Sequence, residues 1–149
     1  MGIPERFTDI TAKIAITKIN GAHQGLLDNP ARLIESLREV ARKMSWTTRS
    51  SFFEQFSPVG VTGGLILAES AIIVHTWPEL GQGKARFNTE LCAPDAMFTG
   101  FPEAVLDVFG CQELLHEEFS DTGFVNPGTR IYLVQTPEGA KKYPFPSKR

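Results

Sequence analysis

The 149-residue chain is poor in cysteine, with only Cys92 and Cys111. Two thiols are too few for a disulfide scaffold or a four-cysteine zinc site. Histidine is scarce as well: His23, His75 and His116 lie far apart and lack metal-ligand spacing, so no metal site is expected. No apolar run approaches the ~20 residues that span a bilayer, and the start, Met1-Gly2-Ile3-Pro4-Glu5-Arg6, has no signal-peptide core. A cytoplasmic protein with no membrane partner is the expectation. Charge of one sign is also missing, since 15 Lys and Arg against 17 Asp and Glu leave a net charge of -2. That balance supplies no electrostatic reason to expect nucleic acid as a partner. Internal repeats and low-complexity segments are absent. The hydrophobic share, 42%, is too high for a disordered chain. The length suits one domain that buries roughly 70% of its unfolded surface.

Hydrophobic periodicity predicts the elements. Ala12 to Ile19 reads as a strand closed by the turn signal Asn20-Gly21. Asn29-Pro30 reads as an N-cap with proline in the first turn. From there Leu33, Ile34, Leu37, Val40, Ala41 and Met44 recur at helical spacing. Ser51 to Phe56, Val61 to Leu67, Ala71 to Trp77 and Lys84 to Cys92 read as strands. The breaks between them are Ser57-Pro58-Val59-Gly60, Ala68-Glu69-Ser70 and Pro78 through Gly83. Pro102 to Phe109 is a short helix capped by Gly110. Cys111 to Phe119 is expected to be at best an edge strand, because Gln112, Glu113, Glu117 and Glu118 are polar. Beyond Asp121 only Arg130 to Gln135 looks regular, and Lys141 to Arg149 reads as a solvated tail. The fold class is α+β, an antiparallel β-sheet with helices packed on one face. Residues 1–149 form a single domain in this reading, with 121–149 a C-terminal extension.

One stretch carries more polar chemistry than a core strand requires: Leu67-Ala68-Glu69-Ser70-Ala71-Ile72-Ile73-Val74-His75-Thr76-Trp77-Pro78-Glu79. Polar groups beside apolar strands need partners. The plain explanation is a hairpin turn at Glu69-Ser70 and a hydrogen-bonded structural histidine at His75. The motifs around it support another. Phe56-Ser57-Pro58-x-Gly60-Val61-Thr62-Gly63 is followed by Ala68-Glu69-Ser70 and then by Ile73-Val74-His75-Thr76-Trp77-Pro78-Glu79-x-Gly81. Together they resemble the prokaryotic S-adenosylmethionine decarboxylase family. The resemblance runs back through Gly21-Ala22-x5-Asp28 and forward to about Phe119, and it implies that family's two-layer sandwich.

The resemblance implies an enzyme that makes its own cofactor. Glu69-Ser70 matches the cleavage pair, in which the serine hydroxyl attacks the preceding carbonyl and converts the amide to an ester. Elimination then cuts the chain and leaves a pyruvoyl group derived from Ser70. His75 matches the histidine assigned to proton removal, and Thr62 stands where the family usually has a helping serine. The pyruvoyl group would condense with the substrate amine and accept electrons as carbon dioxide leaves, the role that pyridoxal phosphate plays elsewhere. Phe56 matches an aromatic that stacks on adenine, and Glu79 a carboxylate near the ribose hydroxyls, a sound partner for a diol. Core packing is the competing reading for Phe56 and the favoured one for Trp77, the remaining candidate for substrate contact. The implied function is decarboxylation of S-adenosylmethionine for polyamine (spermidine) synthesis, by a homodimer with sites formed between subunits.

Three departures qualify that pattern. The family usually reads Glu-Ser-His, whereas Ala71 follows Ser70 here. The family's proton-donating cysteine sits in Thr-Cys-Gly, and Cys92 arrives two residues late without that context. Two residues preserve side-chain parity but move a group by about 6–7 Å, which a bulge or longer turn would have to restore. Cys92 is thus a candidate acid or a structural thiol, and Cys111 reads as structural. Third, Lys84 and Arg86 add positive charge to a strand that is usually neutral or acidic, which would repel a cationic substrate if they faced the pocket. Two alternatives stay open: a pyruvoyl-dependent decarboxylase of ornithine or arginine, and an unprocessed relative that binds a ligand or a partner subunit.

Overall fold

Asn29 caps the principal helix as its sequence predicts: its side-chain oxygen accepts from the Arg32 amide at 3.2 Å, and Pro30 opens the first turn. This computed structural model describes residues 4–7, 11–120 and 128–147, with Ser120 described in its backbone alone. The elements in order are β1 (Lys13–Asn20), α1 (Gln24–Leu27), α2 (Pro30–Lys43), β2 (Thr48–Gln55), β3 (Val61–Leu67) and β4 (Ser70–Trp77). They continue with β5 (Lys84–Leu91), α3 (Phe101–Phe109), β6 (Glu113–Ser120), β7 (Thr129–Thr136) and β8 (Gly139–Tyr143). Short 3-10 turns at Glu5–Phe7 and Pro78–Leu80, and the four-residue α1, were not predicted. Each is too short to show a period.

The eight strands form one antiparallel sheet in the order β2-β3-β4-β5-β1-β6-β7-β8. One face carries the helices. Leu33, Ile34, Leu37, Val40 and Ala41 of α2 are buried, and α2 packs on β2, β3 and α3. Opposite them lie Val61 and Leu65 of β3, Ile72 and Val74 of β4, and Phe87 and Leu91 of β5. Each fully buried side chain of this size stabilises the fold by about 1.5–3 kcal/mol relative to exposure. The alternate residues of the same strands point to the other face, which none of the described α-helices covers. It carries Thr62, Ile66, Ile73, His75, Trp77, Lys84, Arg86 and Lys18, all exposed or half-buried. We call it the open face.

Two expectations fail at the C-terminal side. β6 is not an edge strand, because β7 pairs along it from Glu113↔Val134 to Glu118↔Thr129. Its acids are consistent with an interior position because Glu113 and Glu117 alternate with the buried Leu114 and His116 and find partners on the outer strand, while Glu118 lies 3.0 Å from His116 Nε2. Arg130 Nε donates to Glu117 at 3.2 Å and the Tyr132 hydroxyl to Glu113 at 2.8 Å. The segment read as a solvated tail likewise contributes Lys141–Tyr143 to β8, paired to β7 through Tyr132↔Tyr143. Its residues are exposed, as an edge strand permits, which is why composition alone suggested a tail. The breaks expected at Asp121, Thr122-Gly123 and Asn126-Pro127 lie outside the described residues.

Candidate functional site

Ser70 is the first residue of β4, directly after the Ala68-Glu69 turn of a tight hairpin in which Leu67 pairs with Ser70. The hairpin reading of this junction is therefore correct as far as it goes. Ser70 also has φ 148°, a value that non-glycine residues rarely adopt, and such backbone strain costs on the order of 1–3 kcal/mol. Its neighbour is held at both ends. The Glu69 carboxylate accepts the Thr47 amide at 2.8 Å, and the Glu69 carbonyl oxygen accepts the Cys92 amide at 2.8 Å. An N–H aimed at the carbonyl before Ser70 draws electron density from its carbon and would stabilise an oxyanion formed there.

Cys92 reaches this position without the bulge that its sequence offset seemed to need. The β4–β5 ladder runs unbroken from Ser70↔Leu91 to Trp77↔Lys84, so Cys92 simply follows the last paired residue and meets the turn. Its side chain is exposed, with Sγ 3.6 Å from Glu90 Oε1. Glu90 itself pairs with Ala71. Sequence reading passed over Glu90, although the two-residue delay of Cys92 pointed to whatever residue occupies that in-register position. Cys111, by contrast, is 1% exposed, and burial pushes its thiol up to about 12, as befits a structural residue.

A second group gathers at the opposite end of β3 and β4. Thr62 and His75 are cross-strand partners on the open face, and Thr62 Oγ1 lies 3.0 Å from His75 Nδ1. Trp77 continues the same face, its ring 6.4 Å from that of His75, and is 39% exposed. The expectation that Trp77 packs in the core is corrected: β4 parity directs Ile72, Val74 and Thr76 inward and Trp77 outward. Phe56 is 48% exposed and likewise outside the core. It follows β2 in a tight loop, where the Phe56 amide donates to the Gly60 carbonyl at 2.8 Å. Asp28 holds that loop from the α1–α2 turn, accepting the Gly60 amide at 2.8 Å and the Gln55 side chain at 3.0 Å. Gly60 has φ +108°, which a side chain would oppose. The sequence showed Asp28 within the motif, but its role as an anchor for the Phe56 loop needed the fold. Glu79, in the Pro78–Leu80 turn, is exposed at the same end.

The candidate residues thus form two groups: Glu69, Ser70 and Cys92 at one end of β4, and Phe56, Thr62, His75 and Glu79 at the other. Five residues of extended chain separate Ser70 from His75, about 16 Å. Within one chain His75 cannot touch the Ser70 junction. Arg86 pairs with His75 across β4–β5, and Lys84 with Trp77, so both cations lie on the open face beside the second group.

Comparison with known proteins places the chain in a wider set. A family model described as S-adenosylmethionine decarboxylase matches residues 13–120, which span β1 through β6 and leave β7 and β8 outside. The chain is 37% identical over 92 residues to an S-adenosylmethionine decarboxylase proenzyme of Thermococcus gammatolerans, covering 62% of this chain and 60% of that protein. It is 32% identical over 97 residues to the proenzyme of Pyrococcus horikoshii, covering 65% of this chain and 68% of that one. The matched stretch therefore spans about two thirds of these relatives or less. Among solved structures, the adenosylmethionine decarboxylase from Aquifex aeolicus superposes with a TM-score of 0.61 at 22% identity, over 76% of this chain and 91% of that one. This likeness concerns the fold.

Proposed function

The chain belongs to the S-adenosylmethionine decarboxylase family, and from that premise we propose that it is a self-processing, pyruvoyl-dependent decarboxylase of S-adenosylmethionine. The observation that carries this reading is the Glu69-Ser70 junction, with its strained serine and the Cys92 amide on the Glu69 carbonyl oxygen. In processing, Ser70 Oγ attacks the Glu69 carbonyl carbon, the developing oxyanion is met by the Cys92 N–H, and the peptide nitrogen leaves as an ester forms. Loss of the Ser70 Cα proton then expels the Glu69 carboxylate, ending the chain at residue 69 and leaving a dehydroalanine whose imine tautomer takes up water and releases ammonia to give the pyruvoyl group. A pyruvoyl group at position 70 supplies an electron sink for the departing carbon dioxide.

The strained junction and its backbone donor suit formation of that group from Ser70. Ala71 places no imidazole beside the bond, so the proton acceptor in this reading is His75, oriented by Thr62. It is too far away in its own chain, and the site is complete only when a second copy brings its His75 end to the Ser70 end of the first. A homodimer follows, with Phe56 and Glu79 arriving beside His75 to take the adenine ring and the ribose hydroxyls. Proton return to the substrate carbon requires a positioned acid, and we assign it to Cys92, with the Glu90 carboxylate as its hydrogen-bond partner. The product would feed polyamine synthesis, and the enzyme would work in the cytoplasm. Residues 13–120 form the family's unit in this reading, and the β7–β8 hairpin is an extension added to the outer side of β6.

Intact mass under denaturing conditions tests the proposal. Fragments of residues 1–69 and a pyruvoyl-blocked 70–149 are expected, together with carbon dioxide release from S-adenosylmethionine. A single uncut chain after prolonged incubation would overturn it. Ornithine and arginine belong in the same assay. Both are cations like S-adenosylmethionine, so Lys84 and Arg86 burden all three alike.

A further inference from the structure

Lys18 on β1 and Lys84 and Arg86 on β5 share one patch of the open face. Lys18 and Arg86 are direct cross-strand partners, and Lys84 is two residues from Arg86 on the same side, about 7 Å along the strand. Among the described residues none of the three forms an ion pair. Lys84 Nζ donates to Asn20 Oδ1 at 3.2 Å and Arg86 Nε to Asn88 Oδ1 at 3.0 Å, both neutral acceptors. A carboxylate close by, Glu113, is already engaged at both oxygens, by the Asn20 amide at 3.3 Å and the Tyr132 hydroxyl at 2.8 Å. Like charges on adjacent strand positions repel one another. This cluster therefore carries an unmet electrostatic demand.

The same side chains line a cavity of about 280 Å³, whose other walls include Trp77 and Leu80. Trp77 is 39% exposed and Leu80 53% exposed, so the cavity pairs a flat apolar wall with three cations. Carboxylates are monovalent, whereas a phosphate ester carries up to two negative charges and three acceptor oxygens, which match three convergent donors. An aromatic wall suits a planar ring beside that phosphate. We propose that this pocket binds a small phosphate monoester bearing a flat ring, of the nucleotide class. The pocket lies at the His75 end of β4, away from the Glu69-Ser70 junction of its own chain, and does not require the chain to be processed.

The test uses the wild-type protein without substrate, titrated by calorimetry at low ionic strength with uridine monophosphate, uridine and inorganic phosphate. These probes lack adenine, so occupation of the proposed Phe56 adenine contact is not read. Saturable binding of uridine monophosphate is expected, with no heat from uridine and with inorganic phosphate competing. The Lys18→Gln/Lys84→Gln double variant should weaken binding at least tenfold, and raised salt should weaken it as well. Arg130→Gln, which removes an exposed cation already paired to Glu117, should leave it unchanged. Equal binding of uridine and its monophosphate, or unchanged affinity in the double variant with a wild-type melting profile, would overturn the proposal. Because no turnover is measured, failure of the decarboxylase reading would leave this result intact.

Discussion

The Cys92 amide donates to the Glu69 carbonyl oxygen at 2.8 Å, tying the end of β5 to the peptide that precedes Ser70. This contact makes the junction more than a turn, because it puts a donor where negative charge would develop. Replacing the nucleophile should separate the two roles. Ser70→Ala is expected to remain a single 149-residue chain, with a wild-type fold by circular dichroism, while the wild type yields two fragments by mass. Identical fragments from the variant would show that Ser70 is not the nucleophile.

The roughly 16 Å between Ser70 and His75 makes a second prediction specific to assembly. His75→Ala alone should process at least tenfold more slowly than wild type. Mixed subunits of His75→Ala and Ser70→Ala should recover cleavage in the former, since the latter supplies an intact His75. Mass spectrometry of the two differently tagged chains reads this directly. No recovery in a demonstrated mixed dimer would place both residues' functions within one chain.

Thiol chemistry should distinguish the two cysteines. Cys92 is exposed, whereas Cys111 is buried and its thiol is pushed up to about 12 by desolvation. One thiol per native chain should react with a disulfide reagent at pH 8, and two after denaturation. The sign for stability follows. A thiol whose pKa is raised on folding favours the native state below its unfolded value of 9.0, and that contribution is lost as pH rises from 9.0 towards about 12. Cys111→Ala should flatten this alkaline limb in urea melts.

Gly83 should prove far less replaceable than Gly81, although both have positive φ. A Cβ at Gly83 would lie 2.2 Å from the Ala22 carbonyl oxygen, while one at Gly81 would meet nothing. Gly81→Ala is expected to cost about 1 kcal/mol from strain at positive φ. Gly83→Ala should cost several-fold more, because the backbone of the β1–α1 connection has to move. Urea denaturation of the two variants measures the difference.

The core offers a plainer check. Phe87 and Phe109 meet edge to face at 5.0 Å and join β5 to α3. Both are 1% exposed or less. Phe87→Ala is expected to destabilise the protein by about 3–5 kcal/mol, read from the shift in urea midpoint. A loss under 1 kcal/mol would mean that the sheet and α3 are not packed as described.

By itself the sequence determined the elements whose cause is local. The 3.6-residue stripe from Leu33 to Ala41, the Asn29-Pro30 start and the apolar, β-branched runs of β3 and β4 between turn signals needed no distant information. The same holds for the motif residues, Glu69-Ser70 and His75 among them. Tertiary structure decided what depends on partners far along the chain. Whether β6 lies inside the sheet depends on β7, which supplies Arg130 to Glu117 and Tyr132 to Glu113. Whether Cys92 meets the junction depends on β4–β5 register, and it does so through its backbone, which no side-chain motif encodes. The separation of Ser70 from His75 follows from strand rise, and the convergence of Lys18 with Lys84 and Arg86 from the insertion of β1 beside β5. Proximity in sequence placed Ser70 and His75 together, and an extended backbone set them apart.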